Sequence, residues 1–426
     1  MRAEGRRGER RLTWVACSAA ILALSLVLAG CSRGPDPIRV GAVYPLSGTQ
    51  SPGGIDELRG VRLAVDMVNA AGGVDGRSVV LDTVDVPNSD AAAAAVDMLA
   101  QRGIRFVLGS YGSTISQPAG MEAARRGMLF WETGAVGSMP GQAPGRLFFR
   151  VAPSGRVLGR AAISFVAQRL APMLHRPAST LRFAVANVND AYGSAVADGA
   201  VSEIQDLGLP FVGRFSYDLL HFDPGAVVRR MAAAKPDVVF VSAYVEDGVA
   251  LRQAMVRDHL PLVANIGSSS SYCMQAFGDA LGPAALGLFA SDKPDAGALN
   301  VNGLTPDARR LLGRAQRAYR DRYHGTMDAP ALAGFSAAWA LFHSVMPAAS
   351  SLTPDGVAAA ALRARIPDGG LPNGSGLMFG RPGTSDSGAN LRASSVIWEW
   401  TEVRWRAVVW PPKFATEPIR ALPIQA

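Results

Sequence analysis

Cysteine is scarce in this 426-residue chain, which contains three. Cys17 and Cys31 belong to the N-terminal stretch, so Cys273 is the single thiol in the rest of the sequence. One thiol cannot close an intrachain disulfide. We therefore expect the fold to be held together by packing alone.

Lysine is also rare, with Lys235, Lys293 and Lys413 set against many arginines. Beyond the N-terminus the arginines are scattered, and neither a basic run nor a helix-turn-helix pattern occurs among them. Proteins that bind nucleic acids usually cluster their basic residues on one surface. Despite the net charge of +7, the sequence predicts no nucleic-acid partner.

Catalytic motifs are missing as well. The sequence contains no Gly-x-Ser-x-Gly elbow, no His-Glu-x-x-His, no phosphate-binding Gly-x-x-x-x-Gly-Lys loop and no Cys/His cluster. Its five histidines lie far apart, which gives no metal-ligand spacing. We predict a protein that is not an enzyme and that uses neither a metal nor a cofactor.

The first thirty residues have the pattern of a lipoprotein signal peptide. Five arginines among the first eleven residues precede an apolar stretch at 12–28, and small residues then lead to Cys31. In bacterial lipoproteins such a cysteine is lipidated and becomes the new N-terminus. We predict a signal peptide at 1–30, a linker at 31–37 and an extracytoplasmic protein anchored to the membrane through Cys31. An ordinary signal peptide and an uncut membrane anchor are the alternatives.

From Ile38 onward, short apolar runs alternate with amphipathic stretches of a dozen or more residues. The first run is Ile38–Tyr44, the first amphipathic stretch is 53–71, and a second series of the same kind covers 154–264. Strands and helices in this order imply parallel, doubly wound sheets. Because the chain is too long for one ordinary core, we predict an α/β fold with two Rossmann-like lobes.

The alternation of predicted strands and helices ends toward the C-terminus. Residues 306–364 are predicted to be mainly helical, and 394–410 to form a hairpin that carries four tryptophans. Such a density of tryptophan is compatible with carbohydrate stacking, but packing within the protein is the commoner role and the one we favour.

A turn at 109–113 lies between a predicted strand at 104–108 and a predicted helix at 113–126. Gly109 and Gly112 remove side-chain bulk, while Ser113 and Thr114 offer hydroxyl groups beside the first-turn amides of the helix. Helix N-termini of this kind bind carboxylates and other small anions. The alternative is a well-capped helix without a ligand.

Three further segments follow predicted strands in the same way: 132–137, Tyr192 at the start of a helix, and Tyr244 just after a strand that ends at Ser242. In doubly wound sheets, ligands bind beyond the carboxyl ends of the strands. We therefore predict a ligand cleft between the lobes. The candidate ligand-binding residues are Tyr111, Ser113, Thr114, Glu132, Gly134, Ala135, Tyr192 and Tyr244.

Several segments resemble the type I periplasmic binding proteins, in the leucine/isoleucine/valine-binding branch. They are 43–48, 58–77, the turn at 109–114, Asp190-Ala-Tyr-Gly193, 235–240 and the C-terminal hairpin, in order along nearly the whole chain after residue 37. The resemblance implies two lobes joined by a hinge, which close around a bound solute. It also implies three crossings between the lobes, near 152–155, 288–292 and 372–378.

These crossings would divide the chain into lobe 1 (38–153 and 290–372), lobe 2 (154–289 and 373–415) and a tail at 416–426. The implied function is the solute-binding component of an ABC importer, which captures an amino acid or a similar small carboxylate-bearing solute and docks on permease subunits. A sensory lipoprotein that signals to a membrane receptor without import is the alternative, and the sequence does not separate the two.

The resemblance implies that Ser113 holds a ligand carboxylate, that Gly134 donates its backbone to the same group, and that Tyr192 and Tyr244 are cleft tyrosines. The sequence also departs from the family pattern. The departures are Val136 in place of a threonine, Gly53 in place of an aromatic residue, Ile266 or Gly267 in place of the acid that pairs with a ligand ammonium, and Gly155 where a second acid can occur.

Without that acid, a buried ligand ammonium would be costly. Glu132, Glu246 and Asp247 are the candidates for a compensating carboxylate. Arg156, near the first crossing, could instead meet a second ligand carboxylate and favour an acidic or neutral solute. The identity of the solute stays open at this point.

Overall fold

The computed structural model describes residues 35–137 and 146–425. The predicted signal peptide, Cys31 and the first part of the predicted linker lie outside the described residues.

The first sheet has five parallel strands in the order β2-β1-β3-β4-β5. Three helices connect its first four strands. The elements are β1 (Ile38–Tyr44), α1 (Ser51–Ala70), β2 (Val79–Asp85), α2 (Ser89–Gln101), β3 (Phe106–Gly109), α3 (Ser113–Arg125), β4 (Leu129–Glu132) and β5 (Phe148–Arg150).

The second sheet has seven strands in the order β12-β11-β10-β9-β8-β6-β7. It is parallel except for β11 and β12, which form an antiparallel hairpin at one edge. Its elements up to the last parallel strand are α4 (Gly155–Phe165), β6 (Phe183–Val188), α5 (Ala191–Asp206), β7 (Phe211–Tyr217), α6 (Pro224–Ala233), β8 (Val238–Ser242), α7 (Val245–Arg257), β9 (Ala264–Ser268), α8 (Gln275–Leu281) and β10 (Phe289–Asp292). The hairpin strands are β11 (Val396–Glu402) and β12 (Trp405–Trp410).

Three helices between β10 and β11 complete the fold: α9 (Pro306–Tyr323), α10 (Ala329–Trp339) and α11 (Pro354–Arg363). The stretch Ala329–Ala348, which includes α10, is long and apolar enough to cross a membrane, but 83% of it is buried inside the protein. The indole Nε1 of Trp131 in β4 donates to the carbonyl of Ala337, 2.9 Å away. This stretch is therefore a core helix that packs on the first sheet.

Helix starts are set by short polar side chains that accept from first-turn amides. Asn88 caps α2, Ser154 caps α4, Asp190 caps α5 and Thr305 caps α9. An amide at a helix start has no partner within the helix, so each of these caps fixes where its helix begins.

The predicted α/β fold, with parallel sheets in two lobes, is confirmed. Parts of the element pattern were wrong. The strand expected at 261–264 is β9, which starts at Ala264, and β5, α8 and β10 went unpredicted. β5 has only three residues, too few to show a pattern of its own.

The lobe boundaries at 153/154, 289/290 and 372/373 stay a prediction. The boundary at 289/290 falls within β10, whose residues pair entirely within the second sheet. After the third predicted boundary, Ala389 still bridges to Arg150 of the first sheet, and the Asn390 amide side chain donates to the carbonyl of Val151.

Candidate functional site

A small cavity lies where the carboxyl ends of both sheets face each other, with a volume of about 20 Å³. Both lobes contribute to its wall. The lining residues are Gln50, Tyr111, Gly112, Ser113, Gly134, Val136, Tyr192, Tyr244, Ser269, Ser270 and Lys293. Such a volume holds about one water molecule, so a solute requires the lobes to lie further apart than they do here.

Five of the eight residues predicted to bind the ligand line this cavity. They are Tyr111, Ser113, Gly134, Tyr192 and Tyr244. Thr114, Glu132 and Ala135 do not. Thr114 lies behind the wall, where its hydroxyl accepts from the Gln50 side-chain amide at 3.1 Å.

Ser113 begins α3 at the edge of the cavity. The residue before it, Gly112, has no side chain with which to cap the helix. The Ser113 hydroxyl accepts from the Gly137 amide at 2.9 Å, which leaves its own proton to donate. With the positive end of the α3 dipole beside it, this corner of the cavity suits an anionic group.

Glu132 at the end of β4 is buried, and its carboxylate turns inward to the loops of its own lobe. One oxygen accepts from the amides of Gly134 and Ala135 at 2.9 and 2.8 Å. The other accepts from the Ser110 amide and the Ser116 hydroxyl. Glu132 therefore does not face the cavity in this structure, and its pairing with a ligand ammonium stays a prediction that these contacts do not support.

The same contacts change the interpretation of Gly134 and Ala135. Both amides donate to Glu132 in this structure, so neither is free for a ligand carboxylate here. The predicted contact of Gly134 and Ala135 with a ligand stays a prediction. Gly134 instead offers its carbonyl, which accepts from the Lys293 ammonium at 3.0 Å. The loop folds back because it supplies the donors that a buried carboxylate requires.

Burial raises the pKa of Glu132 to about 7 from its ordinary 4.5, although its hydrogen bonds and the charge of Arg150 oppose the rise. A carboxyl whose pKa rises on folding stabilises the protein at low pH, and this stability is lost as pH increases from about 4.5 to 7. Relative to Glu132→Gln, we expect the wild-type free energy of unfolding to fall by about 3 kcal/mol over that range. Denaturant titrations at pH 4.5 and pH 8 measure the difference, and parallel pH profiles would contradict it.

The tyrosines of the second lobe face the cavity with their rings. The Tyr192 hydroxyl shares a hydrogen bond with that of Ser268 at 2.9 Å, and the Tyr244 hydroxyl donates to Asp190 at 2.7 Å. The two ring centroids lie 5.3 Å apart. Because both hydroxyls already have partners within the lobe, these side chains offer an aromatic wall.

Tyr111 supplies the aromatic group that Gly53 lacks. A Cβ atom built on Gly53 would lie 2.2 Å from Cζ of Tyr111, so the ring fills the space that a side chain at 53 would need. This burial raises the pKa of the Tyr111 hydroxyl, which therefore stays protonated at neutral pH.

None of the other charged residues proposed from the sequence reaches the cavity. Glu246 and Arg156 are exposed. Asp247 accepts from the Tyr217 hydroxyl at 2.5 Å and from the Tyr244 amide at 2.9 Å. The expectation that Glu246 or Asp247 replaces the missing acid, or that Arg156 meets the solute, is wrong.

Position 267 could not carry an acid in this fold. A Cβ atom on Gly267 would lie 2.2 Å from Cγ of Tyr272, whose ring occupies the space. Ile266 is fully buried within β9. The packing at these two positions therefore explains why the acid of the family pattern is missing.

Sequence reasoning missed four side chains of the cavity wall: Gln50, Ser269, Ser270 and Lys293. Lys293 is the most informative because it is the one charged residue among the lining residues. The available signal was the apolar run Leu288-Phe289-Ala290, which ends shortly before the charged pair Asp292 and Lys293. The resemblance, however, implies a crossing at 288–292 and not a strand. Gln50 directly precedes α1, whose second residue is Pro52, a common marker of a helix start.

Comparison with known proteins agrees with this geometry. The family described as "Periplasmic binding protein" matches residues 37–388 of the chain. The chain belongs to the periplasmic binding protein family. This confirms the resemblance seen in the sequence.

Relatives of this periplasmic binding protein include two from Brucella. It is 28% identical over 369 residues to Leu/Ile/Val-binding protein homolog 8 of Brucella abortus (strain 2308), covering 86% of this chain and 88% of that protein. It is 29% identical over 263 residues to Leu/Ile/Val-binding protein homolog 7 of Brucella melitensis biotype 1, covering 61% and 66%.

Solved structures show the same fold. One is the branched-chain amino acid transporter substrate binding protein LivJ from Streptococcus pneumoniae in complex with isoleucine, with a TM-score of 0.66 and 17% identity, covering 88% of this chain and 100% of that one. Another is an extracellular ligand-binding receptor from Rhodopseudomonas palustris HaA2, with a TM-score of 0.72 and 15% identity, covering 88% and 100%.

Proteins of the periplasmic binding protein family bind small solutes outside the cytoplasm, work with ABC transporter permeases and are not enzymes. The prediction of a solute-binding protein without catalytic activity is thereby confirmed. The specific solute and the lipid anchor are separate questions.

Proposed function

We propose that this protein is the lipid-anchored solute-binding component of an ABC importer, which captures an amino acid or a similar small carboxylate-bearing solute by lobe closure. The observation that carries the proposal is a cavity walled by both lobes, with Ser113 and the N-terminus of α3 on one side and Tyr192 and Tyr244 on the other. The names of the Brucella relatives and the isoleucine complex of LivJ support a solute of amino-acid size.

Capture follows from a shift between open and closed arrangements. A solute touches Ser113 and the two tyrosines together only when the lobes are closed, so binding favours the closed arrangement. Micromolar affinity corresponds to about −8 kcal/mol, which a charged hydrogen-bond set and a buried apolar part can supply. The closed form would then dock on the permease.

The proposed anchor rests on the sequence before Cys31. An apolar stretch followed by Leu28, Ala29 and Gly30 supports cleavage directly before the cysteine. With residues 31–37 as the linker, the folded part would then stay within a short distance of the membrane.

Mass spectrometry of the protein purified from its native membrane tests the anchor and the solute together. The denatured mature chain is expected to start at Cys31 and to carry acyl chains. Under native conditions, a fraction is expected to carry a small acid that is released on denaturation. A chain that starts elsewhere without lipid would refute the anchor, and a protein that carries and binds no small carboxylate would refute the proposed solute class.

A further inference from the structure

We propose that the cavity selects carboxylic acids that lack an amino group, and that Lys293 sets this preference. The inference rests on the proposed function and narrows its solute class. Lys293 follows β10, is almost fully buried, and points its ammonium across the cavity to the carbonyl of Gly134 in the first lobe.

The charge of the cavity wall has one sign. Among the residues that line it, Lys293 alone is charged and none is acidic. In the part of the chain that the structure describes, no salt bridge joins Lys293 to a carboxylate. An ammonium uses one proton on Gly134 and keeps two further donors for a ligand.

Two of the nearby acids accept hydrogen bonds within the second lobe, and neither lines the cavity. Asp190 accepts from the Gly193 amide and the Tyr244 hydroxyl, one on each oxygen. Asp247 likewise accepts on both oxygens. A ligand ammonium in the cavity therefore finds no carboxylate on this side.

Glu57 and Asp292 each keep one oxygen without a hydrogen-bond partner, but neither lines the cavity. Glu57 lies behind Gly134 and is fully buried, and Asp292 is held by the Cys273 thiol. Burial raises the pKa of both carboxyls, which favours their neutral forms, although the Lys293 charge opposes the rise. Because neither carboxyl lines the cavity, neither is placed to pair with a ligand ammonium there.

The consequences for an amino acid and for its amine-free counterpart are opposite. The ammonium of an amino acid would be desolvated without a carboxylate and beside a like charge, which is unfavourable. A carboxylate meets Ser113 and the start of α3 beside the first sheet, and Lys293 beside the second sheet, where it follows β10. The rings of Tyr111, Tyr192 and Tyr244 line the cavity with Val136, so an apolar and preferably flat body would pack against them once the lobes lie further apart.

Isothermal titration of the purified full-length protein with matched pairs tests the preference. In the first pair, leucine is compared with 4-methyl-2-oxopentanoate. In the second, phenylalanine is compared with an amine-free acid, which is either phenylpyruvate or 3-phenylpropanoate. Within at least one pair, we expect the amine-free acid to bind about tenfold or more tightly than the amino acid. An amino acid that binds more tightly than its counterpart would overturn the inference while leaving the proposed function intact.

The variant Lys293→Met tests the assignment to this side chain. It should lose about tenfold or more in affinity for the acid and with it the preference over the amino acid. Lys235→Met is the matched control, because Lys235 is exposed at the end of α6, and it should keep both. Circular dichroism checks that each variant is folded, and an Lys293→Met protein that keeps the preference would refute the role of Lys293.

Two further outcomes are decisive. If Lys293→Met does not fold, Lys293→Arg replaces it in the test. Retained binding of the acid by Lys293→Arg supports the need for a cation at this position. Equal binding of the acid and the amino acid contradicts that need. If the wild-type protein binds no member of either pair and carries no small carboxylate in native mass spectrometry, the proposed solute class fails and this inference fails with it.

Discussion

Replacing Trp131 by alanine is expected to lower the free energy of unfolding of the first lobe by about 4 kcal/mol. The indole is fully buried in β4 and packs against Phe149 and Phe379, with ring centroids 5.9 and 5.3 Å away. Its removal leaves a cavity and also removes the indole hydrogen bond to the Ala337 carbonyl in α10. Chemical unfolding followed by circular dichroism measures the loss.

The matched control is Trp405→Ala in the C-terminal hairpin. Trp405 is 53% exposed, and its indole donates to the partly buried Glu417 side chain at 3.3 Å. The same change there should cost less than about 1 kcal/mol, because little apolar area leaves a buried environment. Equal losses for the two variants would contradict the view that Trp131 anchors the first sheet to α10.

The remaining tryptophans of the hairpin show why a local pattern could not settle their role. Trp398 and Trp400 are fully buried, and the Trp400 indole donates to the carbonyl of Tyr272 at 2.7 Å. The alternation of side chains along a strand predicts which residues share a face of the sheet, but not which face is buried. Trp400 is buried because α8 packs against its face, and that contact is distant in sequence. The preference for packing over carbohydrate stacking agrees with these contacts.

Much of the fold could be predicted because the sequence repeats one local unit, an apolar strand followed by a capped amphipathic helix. Asn88, Ser154 and Asp190 mark helix starts by their chemistry alone, and the structure shows each of them capping. The order of the strands in the sheets depends on contacts distant in sequence. The partners of the three-residue β5 had no local signal at all.

The sequence predicted which strand ends meet at the site. It did not predict which atoms of those segments face the solute. Glu132 follows a strand beside a glycine, a pattern that favours a ligand contact. Its own loop supplies two donors, however, and Ser110 and Ser116 supply two more, so its carboxylate turns inward. Lys293 had no motif around it. Its place in the cavity depends on β10 being central in the second sheet, between β9 and β11.

Substituting Ser113 and Tyr244 by alanine together is expected to weaken solute binding by about a hundredfold. The two residues lie on opposite lobes and both line the cavity, so the double change removes one hydroxyl donor and one aromatic wall from the closed arrangement. Isothermal titration with the solute recovered from the purified protein measures the loss. Small-angle scattering should show that the variant no longer becomes more compact when that solute is added.

Tyr244→Phe separates a role of the ring from a role of the hydroxyl. That hydroxyl donates to Asp190 within the second lobe, so its loss should leave the ring in place and change solute affinity by less than about threefold. Tyr244→Ala alone should cost about tenfold, because the ring surface is lost. If Tyr244→Phe weakened binding as much as Tyr244→Ala, the hydroxyl would be the ligand contact. If the double variant bound as tightly as the wild type, the solute would lie outside the cavity between the two sheets.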